Sequence, residues 1–165
     1  MNQKTSAKIC TLFAACLMLI VSQLVATAQS KQPNLTGTWK MNSEKSQFER
    51  GGPNGITIKF DHNGSSLSEA MFLETQGGDR TVELKYTTDG KQANQDNLMG
   101  AAGQSLVKWE GETLLINWSV GDMSFNRKVT LSADGKTMTM IVMQTSQDGS
   151  QSTDTVVLEK QQAVK

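Results

Sequence analysis

The sequence predicts an all-β protein, an antiparallel up-and-down β-barrel of about eight to ten strands. Three observations predict it. Turn signals recur at roughly a dozen residues, the rhythm of an antiparallel domain. Short runs between them alternate apolar and polar residues. Both prolines come early, Pro33 and Pro53, and none follows from Asn54 to Lys165, which suits a continuous sheet because proline removes a ladder donor.

The runs fall at 36–41, 56–61, 66–75, 80–87, 91–98, 104–109, 113–120, 123–131, 137–145 and 152–160. In the second, Ile56, Ile58 and Phe60 face one way, with Thr57 and Lys59 opposite. In the fourth, Val82, Leu84 and Tyr86 oppose Glu83 and Lys85. In the seventh, Leu114, Ile116, Trp118 and Val120 share a face. In the eighth, Met123, Phe125, Val129 and Leu131 oppose Ser124, Asn126, Lys128 and Thr130. One dry face and one wet face is the pattern of an antiparallel sheet around a single core. The fifth run, inside the polar tract Lys91–Gly103, is the weakest. It reads as a poor edge strand, a mobile flap or a long hairpin connection.

The punctuation between runs is His62-Asn63-Gly64, Gly77-Gly78-Asp79, Thr88-Asp89-Gly90, Glu110-Gly111-Glu112, Gly121-Asp122, Ala133-Asp134-Gly135 and Gln147-Asp148-Gly149. These residue types supply tight hairpin turns. No segment has a helical period. Asn42–Arg50 offers one short turn, with Asn42 or Ser43 as cap. Ten strands in hairpin succession must hide their edges, and closure does this most simply. A two-sheet β-sandwich is the alternative.

Residues 1–28 read as a secretory signal peptide. Lys4 and Lys8 make a positive start, Ile9 to Val25 is mostly apolar, and Ala26-Thr27-Ala28 is a cleavage pattern before Gln29. An uncleaved anchor is disfavoured because Ser22 and Gln23 interrupt the apolar run and no basic stop follows. A lipoprotein signal at Phe13-Ala14-Ala15-Cys16 is disfavoured because the apolar core continues through Val21. The expectation is a secreted or periplasmic chain, cut between Ala28 and Gln29, with one domain over 29–165 and no membrane span once the leader is gone.

The remainder excludes several chemistries. The chain has 16 bases and 16 acids, and the leader holds two lysines and no acid. The mature part is therefore mildly acidic, against nucleic-acid binding. Cys10 and Cys16 both lie in the leader, so no thiol chemistry or disulfide remains. One histidine, His62, excludes a multi-histidine metal site. It sits in a predicted turn and reads as a solvated turn residue. No P-loop, G-x-S-x-G or H-E-x-x-H occurs. We expect no enzyme, no cofactor and no metal.

At the first strand, Leu35-Thr36-Gly37-Thr38-Trp39-Lys40 carries a Gly-x-Trp similar to that of lipocalins and fatty-acid-binding proteins. Four further stretches extend the likeness: Asn42 to Phe48, Tyr86 to Lys91, Trp109 to Leu114, and Leu131 to Thr137. Together they resemble a group of secreted bacterial lipocalin-like (calycin) proteins of unassigned function. The resemblance implies the fold, with Gly37 and Trp39 as structural residues, and ligand binding by analogy only. There are departures. Lipocalins have eight strands and often a C-terminal helix. Fatty-acid-binding proteins carry a helix pair after the first strand, and Met41 to Ile56 is too short for two ordinary helices. The mouth of a cavity is then open, or covered by another segment.

Arginine is scarce: Arg50, Arg80 and Arg127. Arg127 falls on the apolar parity of its strand, and Arg80 shares parity with Val82, Leu84 and Tyr86. An inward arginine needs a partner, because a buried unpaired charge is costly. By resemblance to lipocalins, Arg127 packs over Trp39 and closes the barrel base. By resemblance to fatty-acid-binding proteins, Arg127 holds a ligand carboxylate with Tyr86 and Arg80. In a third reading it reaches water at a strand end. Trp118 lines a cavity or fills it, and Trp39 is a core plug. Met138 and Met140 share one face of their strand and Met143 takes the other. The chain is 37% apolar and the leader takes much of that, so a narrow, side-chain-filled interior is a serious expectation.

The leading functional expectation is a binding protein for a small hydrophobic or amphipathic ligand. The alternative is a structural or protein-interaction module of the cell envelope. An enzyme with paired interior carboxylates comes third. Oligomeric state is not legible.

Overall fold

The computed structural model describes residues 32–98 and 100–162. The expected leader, with Cys10, Cys16 and the expected cut after Ala28, lies outside the described residues, as do Met99 and the last three positions.

Ten strands follow one another: β1 (Gly37–Met41), β2 (Gly55–Asn63), β3 (Ser66–Glu74), β4 (Arg80–Thr87), β5 (Asp89–Leu98), β6 (Ala101–Glu110), β7 (Thr113–Val120), β8 (Met123–Leu131), β9 (Thr137–Thr145) and β10 (Gln151–Lys160). They form one antiparallel sheet in the order β4-β3-β2-β1-β10-β9-β8-β7-β6-β5. Every expected strand is present, and the two-sheet sandwich is not the architecture. The sheet curls so that β1 joins β2 to β10, with Trp39 opposite Ile58 on one side and Lys160 on the other. Closure is incomplete. β4 and β5 share no ladder, and across their gap the Gln95 side-chain amide donates to the Lys85 carbonyl at 2.9 Å. The barrel is nearly closed, with a single slot in its wall.

Hairpin chemistry sets the registers. Asn63 pairs with Ser66, leaving a two-residue turn in which Gly64 takes φ +60°, an angle that favours glycine in such turns. The weak fifth run is a true edge strand, β5. It pairs only with β6, and its register shifts between Asp89 and Gln92 and again between Gln95 and Leu98. Its polar composition explains this, since few apolar side chains pin its register.

The inward faces fill one half of the barrel. Leu35, Trp39, Phe60, Leu67, Leu114, Met138 and Leu158 are fully buried there. Trp39 anchors this end by donating its indole N–H to the Leu35 carbonyl at 2.9 Å. Arg127 does not pack over Trp39. Lys160 does, with its ammonium 5.1 Å from the ring centroid. The register explains the exchange: Lys160 lies directly across from Trp39, whereas Arg127 sits in mid-strand on β8. Gly37 makes room for it. It takes φ +141°, and a Cβ there would stand 2.7 Å from the Lys160 Cε.

His62 is also corrected. It belongs to β2, is half-buried, and stacks on Trp109 with centroids 5.8 Å apart. The Leu35 amide donates to its Nδ1 at 3.4 Å, and its Nε2 lies 3.0 Å from the Gly64 carbonyl. With Nδ1 accepting, Nε2 is the nitrogen placed to donate to the Gly64 carbonyl.

Candidate ligand-binding site

The other end of the barrel is hollow. A cavity of about 400 Å³ opens there, within the size range of small-molecule sites. Ile56, Met71 and Val82 line one wall. Trp118, Phe125, Met140 and Val156 line the other. All sit on the inward parity of their strands. Thr75, Gln144 and Asp154 stand among the polar lining residues at the strand ends.

The segment between β1 and β2 borders the mouth in place of a helix pair. It opens with one turn in which the Asn42 side chain accepts the Lys45 amide at 3.1 Å, so Asn42 is the cap. The chain then runs along β10. Gln47 bridges Thr155, the Glu49 amide donates to Asp154, and Arg50 donates to the Ser150 hydroxyl and the Gln151 carbonyl. These ties bring Phe48, Gly51, Gly52 and Pro53 into the cavity lining. Gly52 packs against the Phe48 ring, which leaves no room for a Cβ.

Arg127 also lines the cavity. Its Nη1 and Nη2 donate to the two oxygens of Glu69 at 2.6 and 2.7 Å. Glu69 reaches inward from β3 between Leu67 and Met71 and is 2% exposed, Arg127 4%. The Tyr86 hydroxyl donates to Glu69 at 3.2 Å and accepts from Arg127 at 3.2 Å and from the Trp118 indole at 3.1 Å. The guanidinium lies 4.5 Å from the Trp118 ring centroid, a cation–π contact. One donor is left over: among the described residues Arg127 Nε is buried without a partner.

The electrostatics follow from burial. Desolvation opposes charge on Arg127 and is the largest single influence, but Glu69 and Tyr86 together, through charge and hydrogen bonds, outweigh it and hold the guanidinium above its ordinary value. Burial pushes the Tyr86 phenol well above its usual 10.0, and the Glu69 charge adds to this. Both effects keep the cluster as a neutral phenol beside an ion pair.

Three of the four expected ligand-contact residues, Arg127, Tyr86 and Trp118, meet in this cluster. Arg80 does not join them. It is the first residue of β4, paired with Leu73 next to the hairpin turn, and its side chain is exposed. Glu69 is the residue that sequence reasoning missed. Its signal was a lone carboxylate on the apolar parity of β3, matching a lone arginine on that of β8. Ala70-Met71-Phe72-Leu73 hid it, because four apolar residues in a row erase the alternation.

A second hollow of about 470 Å³ lies at the β4–β5 slot, where Lys59 and Lys85 mix with Asp61, Glu69, Glu83 and Asp96. Ala70 and Leu84 are its apolar lining residues, against the many that wall the barrel cavity, so the barrel cavity is the better site. Among the described residues no three His, Cys, Asp or Glu side chains gather as a metal-holding group. No helix among them is long and apolar enough to cross a membrane.

No family model and no curated protein match the chain by sequence. Solved structures do match in shape. Zebrafish ileal bile acid-binding protein complexed with cholic acid superposes at TM-score 0.56 and 16% identity, over 76% of this chain and 98% of that one. Fatty-acid-binding protein 1 of Echinococcus granulosus superposes at 0.54 and 16%, over 76% and 96%. Secretory abundant heat soluble protein 4 of Ramazzottius varieornatus superposes at 0.57 and 11%, over 81% and 98%. At these identities the likeness is one of fold, and in fold the chain is similar to the fatty-acid-binding-protein-like barrels of the calycins.

Proposed function

We propose that this chain is an exported, non-enzymatic binding protein that holds a small hydrophobic or amphipathic molecule inside its barrel. The observation that carries this reading is the cavity of about 400 Å³, walled by apolar side chains and opening beside Phe48. Similarity in fold to a bile acid-binding protein and a fatty-acid-binding protein supports it. Binding without chemistry is supported by the network at Arg127, where the carboxylate and phenol are already engaged with each other. Export to the periplasm or the medium rests on the leader, with its cut after Ala28.

The alternative, an envelope interaction module, has less behind it. The large apolar residues exposed among those described are Phe72, Ile141 and Met143, split between β3 and β9 rather than gathered in one patch.

The test is native mass spectrometry of the protein purified from its own compartment, with displacement of the neutral dye Nile red. An adduct lost on denaturation, or saturable dye binding quenched in Trp118→Phe, is the expected result. A bare mass with no dye binding sinks the carrier reading. Amino-terminal sequencing should begin at Gln29; an intact leader on fractionated protein sinks the export reading.

A further inference from the structure

We propose that the cavity selects an uncharged amphipathic ligand, one whose polar end is a hydrogen-bond acceptor such as an alcohol or an amide, and that it discriminates against carboxylates. This rests on the carrier reading and adds the chemistry of the head group.

Arg127 and Asp154 are the charged residues of the described lining. Arg127 is already neutralised: both terminal nitrogens lie on Glu69, in a bidentate pair whose side chains are 5% and 0% exposed. A carboxylate that claimed this guanidinium would have to displace Glu69 and leave it buried without a counter-charge, which is the costly outcome for a broken interior pair. Asp154 adds a second carboxylate at the cavity, so the described lining together with Glu69 carries one more negative charge than positive. Arg80, the other arginine on inward parity, is exposed and outside the lining. Among the described lining residues no free cation is therefore on offer to an acid, and Arg50, next to the lining Gly51, is turned to the Ser150 hydroxyl and the Gln151 carbonyl.

A neutral oxygen meets a different situation. The Nε–H of Arg127 is buried and unpartnered among the described residues, and an unmet buried donor favours any acceptor that reaches it. Arg127 Nε has almost no accessible surface of its own, so an alcohol or amide oxygen must first uncover it, and it then supplies that acceptor while both Glu69 contacts stay in place. The Trp118 face and the Met140 and Val156 side chains then receive the apolar remainder.

The experiment compares dodecanol, dodecanamide and dodecanoate as Nile red competitors at neutral pH, on wild type, Glu69→Gln and Asp154→Asn. Wild type should bind the alcohol and the amide roughly tenfold more tightly than the acid. Glu69→Gln, which leaves the Arg127 charge uncompensated, should gain dodecanoate affinity by roughly tenfold and be stabilised against heat by that acid more than wild type is. Asp154→Asn keeps the oxygen that accepts the Glu49 amide and should narrow the alcohol-to-acid ratio, so the proposal stays testable if Glu69→Gln does not fold. Dodecanoate bound by wild type as tightly as dodecanol overturns the inference, as does Nile red binding with none of the three competing. A folded Glu69→Gln that gains nothing for the acid also overturns it. Failure of Nile red itself to bind overturns the carrier reading underneath.

Discussion

At the residue scale the Glu69–Arg127 pair decides most. Buried pairs cost heavily when one partner is removed, yet an apolar replacement of both is often neutral or stabilising. Arg127→Met alone should therefore lose about 3–5 kcal/mol in urea unfolding, because Glu69 stays behind. Arg127→Met with Glu69→Leu should recover most of that loss. A double variant no more stable than the single one would refute this account. Tyr86 gives a second prediction. It is the only tyrosine in the chain, and its folded pKa lies above its unfolded value of 10.0. The unfolded phenol loses its proton first, so this contribution is whole below pH 10 and shrinks above it, by up to about 1.4 kcal/mol per pH unit. Tyrosinate absorbance should consequently appear only together with unfolding; a reversible phenolate signal from folded protein would contradict it. Arg127, Tyr86 and Trp118 were legible in the sequence by parity alone. Glu69, the partner of Arg127 and Tyr86, was not, because Phe72 is apolar yet exposed and blurs its strand.

At the element scale, the strands were legible because alternation and turn chemistry agree in every hairpin. Segment 42–54 was legible only as too short for two helices. What it does instead depends on ties to β10, more than a hundred residues away in the chain, and no local pattern encodes those. Phe48 is the side chain this segment contributes at the mouth, half-buried against Gly52. Phe48→Ala removes that wall while leaving the ties of Gln47, Glu49 and Arg50 in place. It should speed ligand release by roughly tenfold with little change in thermal stability, most affinity changes residing in the off-rate. Stopped-flow displacement measures it, and an unchanged off-rate would mean that the ligand does not pass Phe48.

At the scale of the whole molecule, the slot between β4 and β5 sets the gradient of stability. β5 is held by one neighbour with a shifting register, whereas β1 is held on both sides. Amide hydrogen exchange should be fastest in β5, intermediate in β4, and slowest in β2, β9 and β10; equal protection in β5 and β9 would show that the slot closes in solution. The same slot bears on connectivity. All the ladders join strands that are consecutive in sequence except β1 with β10, and that ladder sets the first strand directly against the last. A circular permutant that splices the end of β10 to the start of β1, and takes its new ends at Thr88, would keep every ladder intact. It would also make each one local, turning a barrel that must find a partner across the full length of its chain into a plain ten-strand meander. Chains with fewer distant pairings fold faster, so the native order carries a kinetic delay that the final architecture does not require.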